Sequence, residues 1–111
     1  MNKYAEAVKK GAAMLDAKIP GWIDMIDLAN LEMSLNRGCI LGQIAKVYGL
    51  SNGYWSGLDI LGISDIKATG IFKLPFTLWG RTEEYEVLGN AWKDLILQRL
   101  SSQQSTETTK T

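Results

Sequence analysis

The chain has 111 residues, 46% of them hydrophobic and 22% charged, and its Lys and Arg balance its Asp and Glu to a formal net charge of zero. That profile fits one folded domain and excludes a disordered or fibrous chain, two independent cores, and a nucleic-acid or membrane binder working through a general basic field. There is no histidine and one cysteine, Cys39, which removes the commonest general base near neutral pH, every Ser-His or Cys-His pair, an intrachain disulfide and a thiolate zinc cluster.

From residue 2 to 17, Tyr4, Val8, Gly11 and Leu15 recur at helical spacing, predicting an amphipathic helix with Asn2 as its N-cap. Gly11 in mid-helix costs about 1 kcal/mol relative to Ala, so it marks the close approach of another helix. Pro20-Gly21 ends the helix, and Trp22 behind it is expected to plug the core. Between Asp24 and Leu35 no single period fits. The pattern predicts a short helical turn opened by Asp27, then an extended piece over Leu31, Met33 and Leu35.

Asn36-Arg37-Gly38 turns the chain into a helix over about Cys39 to Tyr48, the most apolar run in the sequence and the expected buried middle of the domain. A further helix over Gly53 to Leu61, capped by Ser51, carries Tyr54, Trp55, Leu58 and Leu61 and closes on Gly62. Ser64 opens a short turn to Ala68. Gly70 to Phe76 alternates weakly and contains Pro75, so as a strand it is confined to an edge, with residues 31–36 as its partner. Thr82 is the expected N-cap of the last helix, with Glu83 and Glu84 at its positive end and Tyr85, Leu88, Trp92, Ile96 and Leu100 on its apolar stripe. The polar residues 101–111 have no apolar surface to offset their ordering entropy and are expected to form a disordered tail. The expected fold is mainly α: a single compact domain over residues 1–100, with four to five helices and at most a minor two-stranded β element.

Few residues invite chemistry. Cys39 stands at a helix N-terminus, where a thiol pKa can fall, yet its apolar neighbours and the lack of histidine predict a buried free cysteine. Gln43, on the same apolar helix, must be hydrogen-bonded if buried and is expected to tie the 31–35 segment down. Asp16, Asp24, Asp27 and Asp59 read as caps and exposed carboxylates, because no spacing supplies the extra oxygen ligands of a hard-cation site. The glycines contain neither phosphate-cradling motif. Neither a metal nor another cofactor is expected. Of the four tryptophans, Trp22 and Trp92 read as core, whereas Trp55 and Trp79 stand beside glycine-rich turns. An exposed aromatic with an arginine nearby suits a binding surface, and Trp79 with Arg81 is the best instance. Tyr54, Trp55 and Arg37 complete the candidate set.

The run Gly11-Ala12-Ala13-Met14-Leu15-Asp16 is followed by Pro20-Gly21-Trp22, Ile26-Asp27-Leu28 with Leu31, and Cys39-Ile40-Leu41-Gly42-Gln43. Tyr54-Trp55 with Gly57-Leu58 and Leu61-Gly62, and Trp92 in the last helix, complete the pattern. Over residues 4–100 it resembles a group of small proteins found in bacteriophages, prophages and some Gram-positive and actinobacterial genomes. The resemblance implies an origin, as a phage or mobile-element accessory protein, and implies no reaction. The first functional expectation is a non-enzymatic protein that binds and blocks a host protein, such as a component of antiphage defence; the blocking step is analogy. The second is a binder of a small, nucleotide-like molecule, working as a homo-oligomer whose interface carries Trp79, Arg81 and Tyr54. The first residues lack the apolar core of a signal peptide and no apolar run nears the roughly 20 residues that span a bilayer, so a cytoplasmic protein with neither nucleic-acid nor membrane partner is expected.

Overall fold

A computed structural model of the chain describes residues 2–78 and 80–102, with residues 103–110 entering only as the end of the last helix. Five α-helices form: α1 (Ala5–Lys18), α2 (Ile40–Val47), α3 (Tyr54–Leu61), α4 (Asp65–Ala68) and α5 (Thr82–Lys110), with 3-10 turns at Trp22–Met25, Leu28–Asn30 and Phe76–Leu78. The Cα radius of gyration is 13.9 Å, near the ~13 Å of a compact chain this long. The protein is thus a mainly α, single compact domain.

The first and last helices lie side by side and run parallel, as contacts at three points along them establish. At one end Tyr4 Oη donates to Glu84 Oε2 at 2.8 Å, and Asn2 Nδ2 donates to the Val87 carbonyl at 2.7 Å. In the middle, Gly11 faces the Trp92 indole, three ångströms from where a Cβ would stand. At the other end the Arg99 guanidinium grips Asp16 through two hydrogen bonds of 2.7 and 2.9 Å. Parallel neighbours need a long crossover, and residues 19–81, carrying α2 to α4, supply it. Gly11 therefore does mark a close approach, by Trp92 of α5 and also by Ile71.

Trp92 gathers the core. Its fully buried indole stacks on Phe72 with ring centroids 5.3 Å apart, meets Trp22 edge-on at 5.9 Å, and donates Nε1–H to the Ile71 carbonyl at 2.8 Å. Such pairs add about 0.5–1.5 kcal/mol beyond the area they bury. Trp22 is reached through the Pro20-Gly21 turn, where Gly21 takes φ +84°, a conformation that a Cβ disfavours. Its own Nε1–H is held by Asp16 at 2.9 Å.

The apolar run of α2 is buried from Ile40 to Ala45, as expected, and it packs most closely on α3. Gly57 permits that approach: a Cβ there would stand 2.5 Å from the Leu41 carbonyl oxygen.

Several boundaries differ from the sequence reading. Residues 31–36 form turns and do not pair with 70–76; among the described residues the one bridge is an isolated contact of Thr69 with Lys73. The cause is Gly38, whose carbonyl accepts the Glu32 amide at 3.0 Å and folds this segment back on itself. Tyr4 rather than Asn2 occupies the N-cap of α1; Asn2, two residues earlier, accepts the Tyr4 amide at 2.8 Å. Gly53 rather than Ser51 occupies the N-cap of α3, and Thr82 is the first residue of α5, one place inside its expected cap. Ser101 and Ser102 are helical and exposed; from residue 103 the expected disordered tail lies outside the described residues.

Two glycines separate packing from propensity. Gly57→Ala should force α2 and α3 apart and cost about 1–3 kcal/mol. Gly89→Ala should instead stabilise by about 1 kcal/mol, because it is interior to α5 and a Cβ there meets only Met33 Cγ at 3.6 Å. Thermal melts of the two variants should move by several degrees in opposite directions.

Candidate functional site

Three of the five sequence-predicted site residues come together where α2 turns into α3. Asn36 organises the turn: its backbone carbonyl and its Oδ1 both accept the Tyr54 amide, at 2.9 and 3.0 Å. Gly53, at φ +58°, lies so close to Asn36 that a Cβ would come within 2.6 Å of its amide nitrogen. Arg37 then donates from Nη2 to the Ser51 carbonyl at 3.1 Å, closing a second link between the loop before α2 and the turn before α3.

Tyr54 is buried and serves as the support of this face. Its hydroxyl donates to Asp65 Oδ1 at 2.7 Å, and Lys73 Nζ sits 2.7 Å from Asp65 Oδ2. Burial and the neighbouring carboxylate push the Tyr54 hydroxyl pKa upward, so the phenol stays protonated. Trp55, the next residue, contacts the Tyr54 ring edge-on at 5.1 Å yet is 55% exposed. A large aromatic is thus presented outward from a backbone pinned on several sides. Val47 at the end of α2, and Tyr48 and Leu50 just beyond it, are also exposed.

Arg37 borders a cleft of about 510 Å³ whose walls include Met25, Asp27, Lys46 and Val47. Its floor is Gln43. The Gln43 carboxamide accepts the Asp27 amide at 2.6 Å and donates to the carbonyls of Asp27 and Gly38 at 3.2 and 3.1 Å. It therefore holds the segments before α2 and not residues 31–35. Asp27 occupies the cap position of the Leu28–Asn30 turn, but its carboxylate accepts from the Asn30 side chain at 2.7 Å and not from the backbone.

Arg81 is exposed just before α5, where its carbonyl accepts the amides of Glu84 and Tyr85. Trp79 lies outside the described residues. Cys39 is buried as the N-cap of α2, its Sγ accepting the Gly42 amide at 3.3 Å. Burial outweighs the helix terminus and pushes its thiol pKa up to about 11, the opposite of an activated nucleophile.

A larger cleft of about 650 Å³, which the sequence reading missed, lies between the C-terminal half of α1, the Trp22 turn and α5. Its main polar groups satisfy one another through the Arg99, Asp16 and Trp22 hydrogen bonds. Lys9 and Arg99 balance Asp16 and Asp24, so no sign of charge is favoured there. Among the described residues no group of three His, Cys, Asp or Glu side chains is placed to hold a metal ion, and no helix is long and apolar enough to cross a membrane. No family model, curated protein or solved structure matches the chain.

Three carboxyls carry depressed pKa values: Asp65 through Lys73 and Tyr54, Asp16 through Arg99 and Trp22, and Glu84 through Lys3 and Tyr4. Each binds its proton less tightly folded than unfolded. The stability they add is therefore complete above the unfolded values and lost as pH falls through the folded ones, below about pH 4. Melting temperature should drop on that acid limb, and Asp65→Asn should be less stable than the native chain near pH 7 but converge with it below pH 4.

Proposed function

We propose that this chain is a non-enzymatic accessory protein of a phage or mobile element that binds and blocks a host protein in the host cytosol. The observation that carries the reading is Trp55: a tryptophan more than half exposed on a turn held by Asn36, Gly53 and the Tyr54–Asp65 hydrogen bond. Tryptophan and arginine dominate the energetics of protein interfaces when a well-packed surround holds them ready. Preorganisation of this kind reduces the ordering cost of association. Arg37, linked to the same turn, supplies the second such residue. The origin rests on the motif resemblance from Gly11 to Trp92, and the blocking action is analogy.

Affinity capture from host lysate tests the reading. The native chain should retain one protein at stoichiometric amounts, and Trp55→Ala should weaken that retention more than about tenfold while leaving the melting temperature unchanged. Undiminished capture by Trp55→Ala would remove the elbow between α2 and α3 from the interface.

A further inference from the structure

We infer that the partner segment seated on the α2–α3 elbow is acidic and inserts an apolar side chain into the cleft beside α2. This rests on the reading of the elbow as the binding face and goes further by naming the chemistry of what binds. From Met33 to Leu58 the sequence contains no Asp or Glu, and its only charges are Arg37 and Lys46. Both are exposed, and both line the same cleft. Neither has a carboxylate partner among the described residues. Proximity to the negative end of α2 accounts for Lys46 alone. Arg37 belongs to no helix, and its bond to the Ser51 carbonyl leaves its charge unpaired.

The cleft itself offers little competition to an incoming carboxylate. Asp27 is the one acidic residue among its walls, and its Oδ2 already accepts from Asn30. Gln43 is committed to Asp27 and Gly38 and has no N–H left to donate. The bond from Arg37 to Ser51 uses Nη2 and leaves other guanidinium donors for a bidentate carboxylate contact. Met25 and Val47 form the apolar part of the wall, and Tyr48, Leu50 and Trp55 are exposed large apolar side chains of the same α2–α3 elbow. The net positive charge of the cleft, Arg37 and Lys46 against Asp27, borders such a surface and favours an acidic, apolar-anchored polypeptide over a basic one.

The test uses the full chain, labelled with ¹⁵N, and two synthetic amphipathic peptides that share Leu and Phe positions but carry either Glu and Asp or Lys on the polar face. The acidic peptide should shift the amides of Arg37, Lys46 to Leu50 and Trp55. It should bind about tenfold more tightly than the basic one, and it should lose about tenfold in the Arg37→Glu, Lys46→Glu double variant. Added salt should weaken it. Equal affinity for the two peptides, or no shift with the acidic one, overturns the proposal. If Trp55→Ala still abolishes host-protein capture in that case, the elbow remains the binding face and only the acidic partner is lost. If the peptide binds as expected but capture ignores Trp55→Ala, the reading of function fails instead. A mass that rises with concentration and reverts in the double variant assigns the occupant to a second copy of the chain and likewise overturns the proposal.

Discussion

Everything in this fold is arranged around the passage of Trp92 across Gly11. The indole is large, fully buried and in contact with three separate parts of the chain: α1 through Gly11, the turn after it through Trp22, and the segment before α5 through Phe72 and the Ile71 carbonyl. It can lie there only because position 11 has no side chain. The helix propensity lost at Gly11 is small, about 1 kcal/mol, beside the several kilocalories that a buried tryptophan brings to a core. Once the indole is seated, the parallel arrangement of α1 and α5 follows. The polar clasps, Glu84 with Lys3 and Tyr4 and Asp16 with Arg99, then close the two ends of the pair.

That arrangement also decides which surfaces remain for recognition. The long crossover must fold over one side of the parallel pair, and it does so by packing α2 against α3 through Gly57. Two side-chain amides hold its loops: Gln43 takes the backbone at Asp27 and Gly38, and Asn36 takes the start of α3. With these interior polar needs met within the crossover, the residues at its outer bend are free of structural duty. Trp55, Val47, Tyr48 and Leu50 are left facing outward, with Arg37 and Lys46 beside them. An apolar surface of this kind is the usual mark of an interaction site when it is contiguous and rimmed by polar groups.

Much of this was legible in the residue pattern. The stripes Val8 to Leu15 and Leu88 to Ile96 identified the two helices of the parallel pair, and the apolar run from Ile40 identified the buried one, because hydrophobic period reports burial directly. Gly11 announced a close neighbour through its cost alone. What stayed hidden depends on residues far apart in the chain. The pairing of Asp16 with Arg99, the direction of α5 relative to α1, and the larger cleft they border have no local signature. The alternation of Leu31, Met33 and Leu35 suggested a strand, but two of the three side chains are buried in a run of turns closed by Gly38, and alternation does not distinguish the two over so few residues. Tyr54 and Trp55 looked equivalent in sequence. Asp65, eleven positions on, takes the first inward by its hydroxyl and leaves the second outside.

Because its two longest helices are separated by residues 19–81, this protein cannot assemble its interior gradually as it emerges from the ribosome. Until Trp92 has been translated, the apolar faces of α1 and α2 lack their shared partner, and loop closure across most of the polypeptide must precede the stabilising contacts. Synthesis thus passes through a stage in which the residues before Trp92 are still sticky and open to chaperones or proteases. A premature stop just before Trp92 would yield a product that is degraded rather than one that is merely shortened.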